Sequence, residues 1–442
     1  MNPNRVLDEL ARHQLVDGYP LVVDLERSEG VWIHDAASGQ RYLDGFTCFA
    51  SMPLGYNHPG MMDPDYLQTL KLASLCNVSN ADLYSVEMAQ FVDAFAEHAT
   101  PEGFNHHFWI AGGGLAVENA MKAAFDWKAR RLGRNNFEDN CNDLMIMHFR
   151  QAFHGRTGYT MSVTNTLPDK VGLFPKFNWP RIHNPSCRFD HDGNVCNDIE
   201  AEEARACAEI EAAIGSCPAC VNRIAGILIE PMQGEGGDNH FRPEFMARLR
   251  QYADDCDALL LYDEVQSGFF GSGKPWFWQH QGVAPDVVAF GKKSQVCGIY
   301  AGSRLDEIEH NVFRRSSRIN STWGGNLVDM VRSRRYIELI VQDGLADHVL
   351  TVGDHVINGM REIARSTQAF ENVRGVGSLI ACCFETPEAR DQMVRDLFDH
   401  NVIVLPCGTQ SMRFRLPLVM TIEESDHLLN AVESATKRVA AV

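Results

Sequence analysis

Hydrophobic positions along this chain follow two rhythms. Val86, Met88, Phe91, Val92 and Phe95 recur at the spacing of one helix face, which predicts an amphipathic helix from Ser85 to about His98. Elsewhere the apolar residues run on without interruption. Phe108 to Ile110, Leu144 to Phe149, Ala225 to Ile229, Ala258 to Tyr262 and Val287 to Phe290 read as strands buried on both faces. Helical stretches fall between them: one to about Arg131, one from about Asp198, one from Pro243 to Asp254 and one from about Leu327 to Gln342. Strands alternating with helices predict an α/β fold whose central sheet is mostly parallel.

The ends of the chain read differently. Gly30 to Asp35 and Gln40 to Asp44 flank Ala-Ser-Gly turn chemistry and predict a hairpin, followed by loop from Phe46 to Ser51 and from Leu54 to Gly60. Near the other end, Asn401 to Pro406 and Met412 to Pro417 read as strands. The expected division is a small lobe over 1–75, a large one over 76–334 and a second small part over 335–442. Residues from about 165 to 215 form a less regular excursion.

Composition narrows the partners. Hydrophobic residues make up 45% of the 442 and charged ones 22%, as in ordinary globular proteins. Forty Lys and Arg against 58 Asp and Glu give a net charge of -18, which repels nucleic acid and anionic membrane. The first ten residues lack an apolar signal core and no run approaches membrane-spanning length, so a cytoplasmic protein is expected. The 13 cysteines are odd in number and scattered, which fits reduced thiols. Cys187, Cys196, Cys217 and Cys220 lie close in sequence, but the outer pair lacks zinc-knuckle spacing, and no metal site is expected.

Chemistry concentrates where the predicted strands end. Val287 to Phe290 run straight into Gly291-Lys292-Lys293, which sets an amine at the carboxyl end of a buried strand, where α/β sheets place their ligands. Desolvation lowers a lysine pKa and readies the amine to attack a carbonyl; a solvated strand cap is the bland alternative. Asp263 ends the preceding strand, and a carboxylate there suits a protonated heterocyclic nitrogen, a metal or plain solvent. Gly112-Gly113-Gly114 opens a helix and suits either a phosphate on free backbone N–H groups or a tight turn. Phe153, His154 and Arg156 follow another strand end, with a ring to stack and a guanidinium to hold a carboxylate. Asn320 to Asn326 offers hydroxyls and amides to a phosphate, and Arg413 with Arg415 is a candidate anion site. Gly268 to Lys274 has Walker A spacing, but Pro275 stands where a hydroxyl is needed, which argues against nucleotide hydrolysis.

Order and spacing together resemble the fold type I pyridoxal-phosphate enzymes, specifically the class III (ω-) aminotransferases. The likeness runs from Tyr42-Leu43-Asp44 and Leu54 to Pro59 through Asp263-Glu264-Val265-Gln266-Ser267-Gly268 and Lys292 to Arg413-Phe414. Within the class, Phe153 to Arg156, Gln233 to Gly237, Gly291 to Gly298 and Asn320 to Asn326 look most like the lysine ε-aminotransferase group. The resemblance implies a large domain with a mostly parallel sheet and a small α+β domain built from both termini. It implies pyridoxal 5'-phosphate as cofactor, L-lysine and 2-oxoglutarate as substrates, and a homodimer with shared active sites.

The same resemblance assigns roles. Lys292 would carry the cofactor as a Schiff base and shuttle the proton, with Lys293 a bystander. Asp263 would pair with the pyridine nitrogen, Gln266 with the phenolic oxygen, and Phe153 would stack on the ring. Gly113 and Gly114 would bind the phosphate, joined by Thr322 from the neighbouring subunit. Arg156 would take the distant carboxylate of lysine and Arg413 the α-carboxylate of glutamate, with Glu235 covering Arg413 while lysine is bound and Asn320 assisting. Two departures stand out: most of the class has Ser-Gly-Thr at the phosphate loop and a Pro-Pro pair where Leu416-Pro417 stands here. The rivals are another class III transaminase acting on ornithine, 4-aminobutyrate or a diamine, a racemase or decarboxylase on the same fold, and a non-enzymatic binding protein.

Overall fold

The apolar runs assemble into one seven-stranded sheet in the computed structural model, which describes residues 1–215 and 221–439. Its strands are β1 (His106–Ile110), β2 (Met145–Phe149), β3 (Arg181–Ile182), β4 (Ile224–Ile229), β5 (Leu259–Asp263), β6 (Val287–Phe290) and β7 (Cys297–Ala301). They lie in the order β1-β7-β6-β5-β4-β2-β3. β7 is antiparallel to both its neighbours, and the remaining pairs are parallel. β4, β5 and β6 are buried along their whole length, which explains runs such as Ile-Ala-Gly-Ile-Leu-Ile with no polar alternation.

Helices cover both faces. Gly113–Arg131 packs across β4 to β7, and its buried face is rich in alanine, which lets the helix approach the sheet closely. Val86–His98, capped by the Ser85 hydroxyl, buries Phe91 and Phe95 against Trp109 of β1 and Phe290 of β6. Leu327–Gln342 packs along that helix, with the bounds the sequence predicts.

The two chain ends meet. Trp32–His34 and Arg41–Asp44 form the expected hairpin, with Ile33 opposite Tyr42, and Val402–Ile403 adds in parallel to its second strand. A separate four-stranded sheet holds Glu371–Val376, Leu379–Cys383, Ser411–Arg415 and Leu405–Cys407 in that order. Pro406 is tolerated because its strand is the edge. Where the sequence suggests a plain loop after Asp44, Thr47, Cys48, Phe49 and Ala50 make a left-handed turn, with φ between 46° and 68°. That conformation strains non-glycine residues. Asp44 holds it by accepting from Phe46 N at 2.9 Å and Thr47 N at 2.6 Å, while burial pushes its carboxyl up to about 6.

Alternation along Ser411–Arg415 points Arg413 and Arg415 the same way, toward the carboxyl edge of the large sheet. Arg415 makes a two-pronged ion pair with Asp238, both bonds 2.6 Å and both side chains 1% exposed. The arginine pair, read from the sequence as a candidate anion site, holds two carboxylates of this chain: Arg413 meets Glu235 and Arg415 meets Asp238. Cys187 is buried and Cys196 exposed, while Cys217 and Cys220 lie outside the described residues. No helix among the described residues is long and apolar enough to cross a membrane.

Arg415→Ala leaves Asp238 buried and unpaired, and equilibrium urea unfolding should show a loss of about 3–5 kcal/mol. Burial raises the Asp238 pKa, but the Arg415 guanidinium more than offsets this and holds it below its ordinary 3.8. The pair's contribution is therefore present above about pH 4 and lost as pH falls further, so wild type and variant should converge in acid.

Candidate active site

Five strands deliver their carboxyl ends to one cavity. β1 leads to Gly113 and Gly114, β2 to Phe153 and His154, β4 to Glu230, β5 to Asp263 and β6 to Lys292, all of which line it. This is where a parallel sheet opens between diverging loops.

Gly112, with φ of 104°, turns the chain from β1 into the helix, whose first N–H groups point out of its positive end. The glycines here answer to crowding. A Cβ on Gly113 would come within 2.7 Å of Val265, and one on Gly155 within 2.7 Å of the Gly114 Cα. The glycine turn that opens the helix and the turn after β2 thus touch backbone to backbone. Glu118, one turn into the helix, fastens them by accepting from Thr157 Oγ1 at 2.5 Å and Tyr159 N at 3.2 Å.

Asp263 accepts from Val265 N at 3.0 Å through Oδ1 and from His154 Nδ1 at 2.8 Å through Oδ2. A carboxylate can only accept, so Nδ1 carries the imidazole hydrogen. His154 is wholly buried, and its Nε2 has no partner among the described residues. Glu230, one residue past β4, accepts from Phe153 N at 2.9 Å and Gly234 N at 3.0 Å, and burial pushes its carboxyl up to about 7. It joins the turn carrying Phe153 to the loop carrying Glu235.

Lys292 sits in the left-handed region with φ of 55°, directly after Gly291. Among the described residues nothing accepts a hydrogen bond from its amine. Burial, and then the guanidiniums of Arg413 and Arg415, bring its pKa down to about 8. Lys293 points away from the cavity lining and serves the backbone. It is buried and donates to the carbonyls of Gln266 at 2.6 Å and Gly268 at 3.1 Å, which pins the loop after β5.

Gln266 Oε1 accepts from Arg413 Nη1 at 2.7 Å and from Arg415 Nη2 at 2.6 Å. Arg413 Nη2 also meets Glu235 Oε2 at 2.7 Å. Lys170 holds the other oxygen of Glu235. Burial raises the Glu235 pKa, but the two cations more than offset it and keep the carboxylate below its usual range.

Lys292, Asp263, Gln266, Phe153, Gly113 and Gly114 therefore share one cavity, and Glu235 and Arg413 adjoin it through Gln266. Three residues named from the sequence stand elsewhere. Arg156 is exposed and pairs with no described residue. Asn320 lines a separate groove with Asn80 and Trp109, and Thr322 is exposed, its carbonyl accepting from Ser79 Oγ at 2.5 Å. The sequence reading gave no role to His154, Glu230 or Lys170. Glu230 had a signal, since it ends an apolar strand as Asp263 does; His154 lay inside a quoted motif, and Lys170 lay in the irregular stretch with no signal at all.

Residues 15–436 match the family Aminotransferase class-III. The L-lysine-epsilon aminotransferase of Mycobacterium tuberculosis is 46% identical over 435 residues, covering 98% of this chain and 95% of that one. The L-lysine-epsilon aminotransferase of Streptomyces clavuligerus is 45% identical over 434 residues, covering 98% and 94%. The solved lysine aminotransferase from M. tuberculosis in the internal aldimine form gives a TM-score of 0.94 at 45% identity, covering 99% of this chain and 100% of that one. An ornithine aminotransferase from Toxoplasma gondii, at 20% identity and a TM-score of 0.79 over 100% of this chain and 96% of that one, shares the fold. With a family match that takes in the strand-end lysine, aspartate and both arginines, this chain belongs to the class III aminotransferases.

Proposed function

We propose that this chain transfers the ε-amino group of L-lysine to 2-oxoglutarate, releasing 2-aminoadipate 6-semialdehyde, which cyclises to piperideine-6-carboxylate, and L-glutamate. The single observation that carries a two-substrate enzyme is Arg413 covered by Glu235 next to a lysine amine with no hydrogen-bond partner among the described residues. The names of the relatives at 45–46% identity support lysine as donor over ornithine, 4-aminobutyrate or a diamine.

The cavity fits pyridoxal 5'-phosphate. The Gly113-Gly114 helix start offers N–H groups to the phosphate without the hydroxyls common in the class, Phe153 offers a ring face, and Asp263 offers an anion fixed by His154. Because the Gln266 oxygen is occupied by two guanidiniums, its NH2 is left to donate to the phenolic oxygen. When bound, the cofactor supplies a carbonyl for the amine and a protonated ring that takes up the electrons of the broken C–H bond. Lys292 Nζ would hold it and would take the proton from the substrate carbon that bears the reacting amine. Asp263 keeps the ring nitrogen protonated, and His154 fixes the carboxylate's orientation.

Lysine reacts several bonds from its carboxylate, whereas glutamate reacts beside its own. We assign Arg156 to the distant carboxylate of lysine and Arg413 to the α-carboxylate of glutamate, with Glu235 on Arg413 in the first half-reaction and off it in the second. Thr322 and Asn320, exposed on one loop away from their own cavity, serve the site of a second copy in a homodimer. The free thiols among the described cysteines suit a reducing compartment and favour the cytoplasm.

Three measurements test this. In single turnover, L-lysine should convert the cofactor's absorbance to that of its amino form and 2-oxoglutarate should restore it, while L-ornithine and 4-aminobutyrate act more slowly; an untouched band with lysine would remove the substrate assignment. Glu235→Ala should slow the lysine half-reaction by about tenfold or more relative to the glutamate one, because an uncovered Arg413 draws lysine's α-carboxylate into the wrong register. Equal loss in both would count against the switch. Finally, only the free amine attacks a carbonyl, and Lys292 titrates at about 8. Covalent cofactor uptake by apoenzyme should rise about tenfold per pH unit below that value and level off above it, and Lys292→Ala should show none.

A further inference from the structure

Glu235 is held at both ends. Its Oε2 meets Arg413 Nη2 at 2.7 Å, and its Oε1 meets Lys170 Nζ, so one carboxylate spans two cations. The cations differ in freedom. Arg413 is 1% exposed, rises from the strand Ser411–Arg415 and is held by Gln266 as well. Lys170 is 28% exposed and stands on the four-residue helix Pro168–Val171 in the irregular stretch after β2. Its ammonium also lies 5.5 Å from the centroid of the Phe153 ring, at the edge of the cavity.

When a dicarboxylate takes Arg413, Glu235 must give it up. A half-buried carboxylate that left a guanidinium for no partner would bear its desolvation uncompensated. The bond to Lys170 removes that penalty, because Glu235 can leave Arg413 without ever being unpaired. We propose that Lys170 is the holding point of the Glu235 side chain in the second half-reaction, and so a positioning residue that sets how readily the pocket accepts its dicarboxylate. This rests on the Glu235 and Arg413 assignment above. Lys170 touches neither reacting atom; it acts through Glu235.

The test uses holoenzyme and the variants Lys170→Met, Lys170→Arg, Glu235→Gln and the double variant Lys170→Met with Glu235→Gln. Two readouts are taken: calorimetric binding of glutarate, an unreactive dicarboxylate, and single-turnover rates with lysine and with 2-oxoglutarate. Lys170→Met should weaken glutarate binding and raise the 2-oxoglutarate concentration for half-maximal rate by about tenfold, with a several-fold smaller effect on the lysine half-reaction. Lys170→Arg should recover most of the loss. In the Glu235→Gln background the Lys170→Met change should add less than about twofold, because the carboxylate it holds is gone. Equal loss in both half-reactions, no recovery by arginine, or the same loss with Glu235 already neutral would overturn the proposal. If wild type fails to turn over lysine, the substrate reading falls, while glutarate binding across the four variants still decides the role of Lys170.

Discussion

One amide oxygen, that of Gln266, accepts from two buried guanidiniums, and much of the site follows from that sharing. Arg413 and Arg415 emerge side by side because alternate residues of a strand face the same way, and two buried like charges need anions and acceptors close at hand. Asp238 neutralises one and Glu235 the other, each from the loop after β4. Gln266 lies between them and is held from behind by Lys293, which fixes its backbone carbonyl. A Cβ on Gly234 would fall 2.2 Å from the Gln266 Oε1, so the loop that brings Glu235 is pressed against the amide it serves. Charge pairing thus couples the small four-stranded sheet to the carboxyl edge of the large one.

That edge concentrates conformational strain as well as charge. Lys292, Gln151 and Gln295 all take positive φ without being glycine, and the left-handed turn at Thr47–Ala50 packs against the segment that begins at Lys292. The Gln295 amide donates to Ser51 O at 2.7 Å and ties the two together. Strain of this kind persists where surrounding contacts over-determine the backbone, and it clusters at sites whose geometry matters. The sheet supplies the rigidity, since three of the strands that feed the cavity are wholly buried.

What the sequence discloses divides along physical lines. Short apolar runs bounded by turn residues fit doubly covered strands better than helices, so the sheet and the strand-end positions of Lys292 and Asp263 were legible from pattern, and the order of motifs carried the family. Strand pairing was not: nothing in Cys297–Ala301 marks it as the antiparallel member inserted between β1 and β6. Side-chain pairing across the fold was equally hidden. The partnership of His154 with Asp263 spans 109 residues and that of Lys170 with Glu235 spans 65, and no local periodicity encodes either. Arg156, by contrast, was legible as a motif residue and yet its guanidinium forms no hydrogen bond or ion pair with any described residue, because a motif gives a position and not a rotamer.

The distribution of charge explains why a covering glutamate is needed at all. A chain of net charge -18 repels small dicarboxylates at long range, so the capture proposed above would depend on short-range contact with a desolvated cation. Such a cation is costly to leave bare, and it would bind any carboxylate that reached it, including the α-carboxylate of an amine donor in the wrong orientation. A carboxylate supplied by the protein meets both needs in the proposed exchange: it neutralises Arg413 in the resting state, and under that proposal only a competitor able to replace it at close range would gain the guanidinium. Because the proposed exchange would take place among buried or half-buried groups, ordinary salt would screen it weakly, and discrimination would rest on the fit of one carboxylate in place of another.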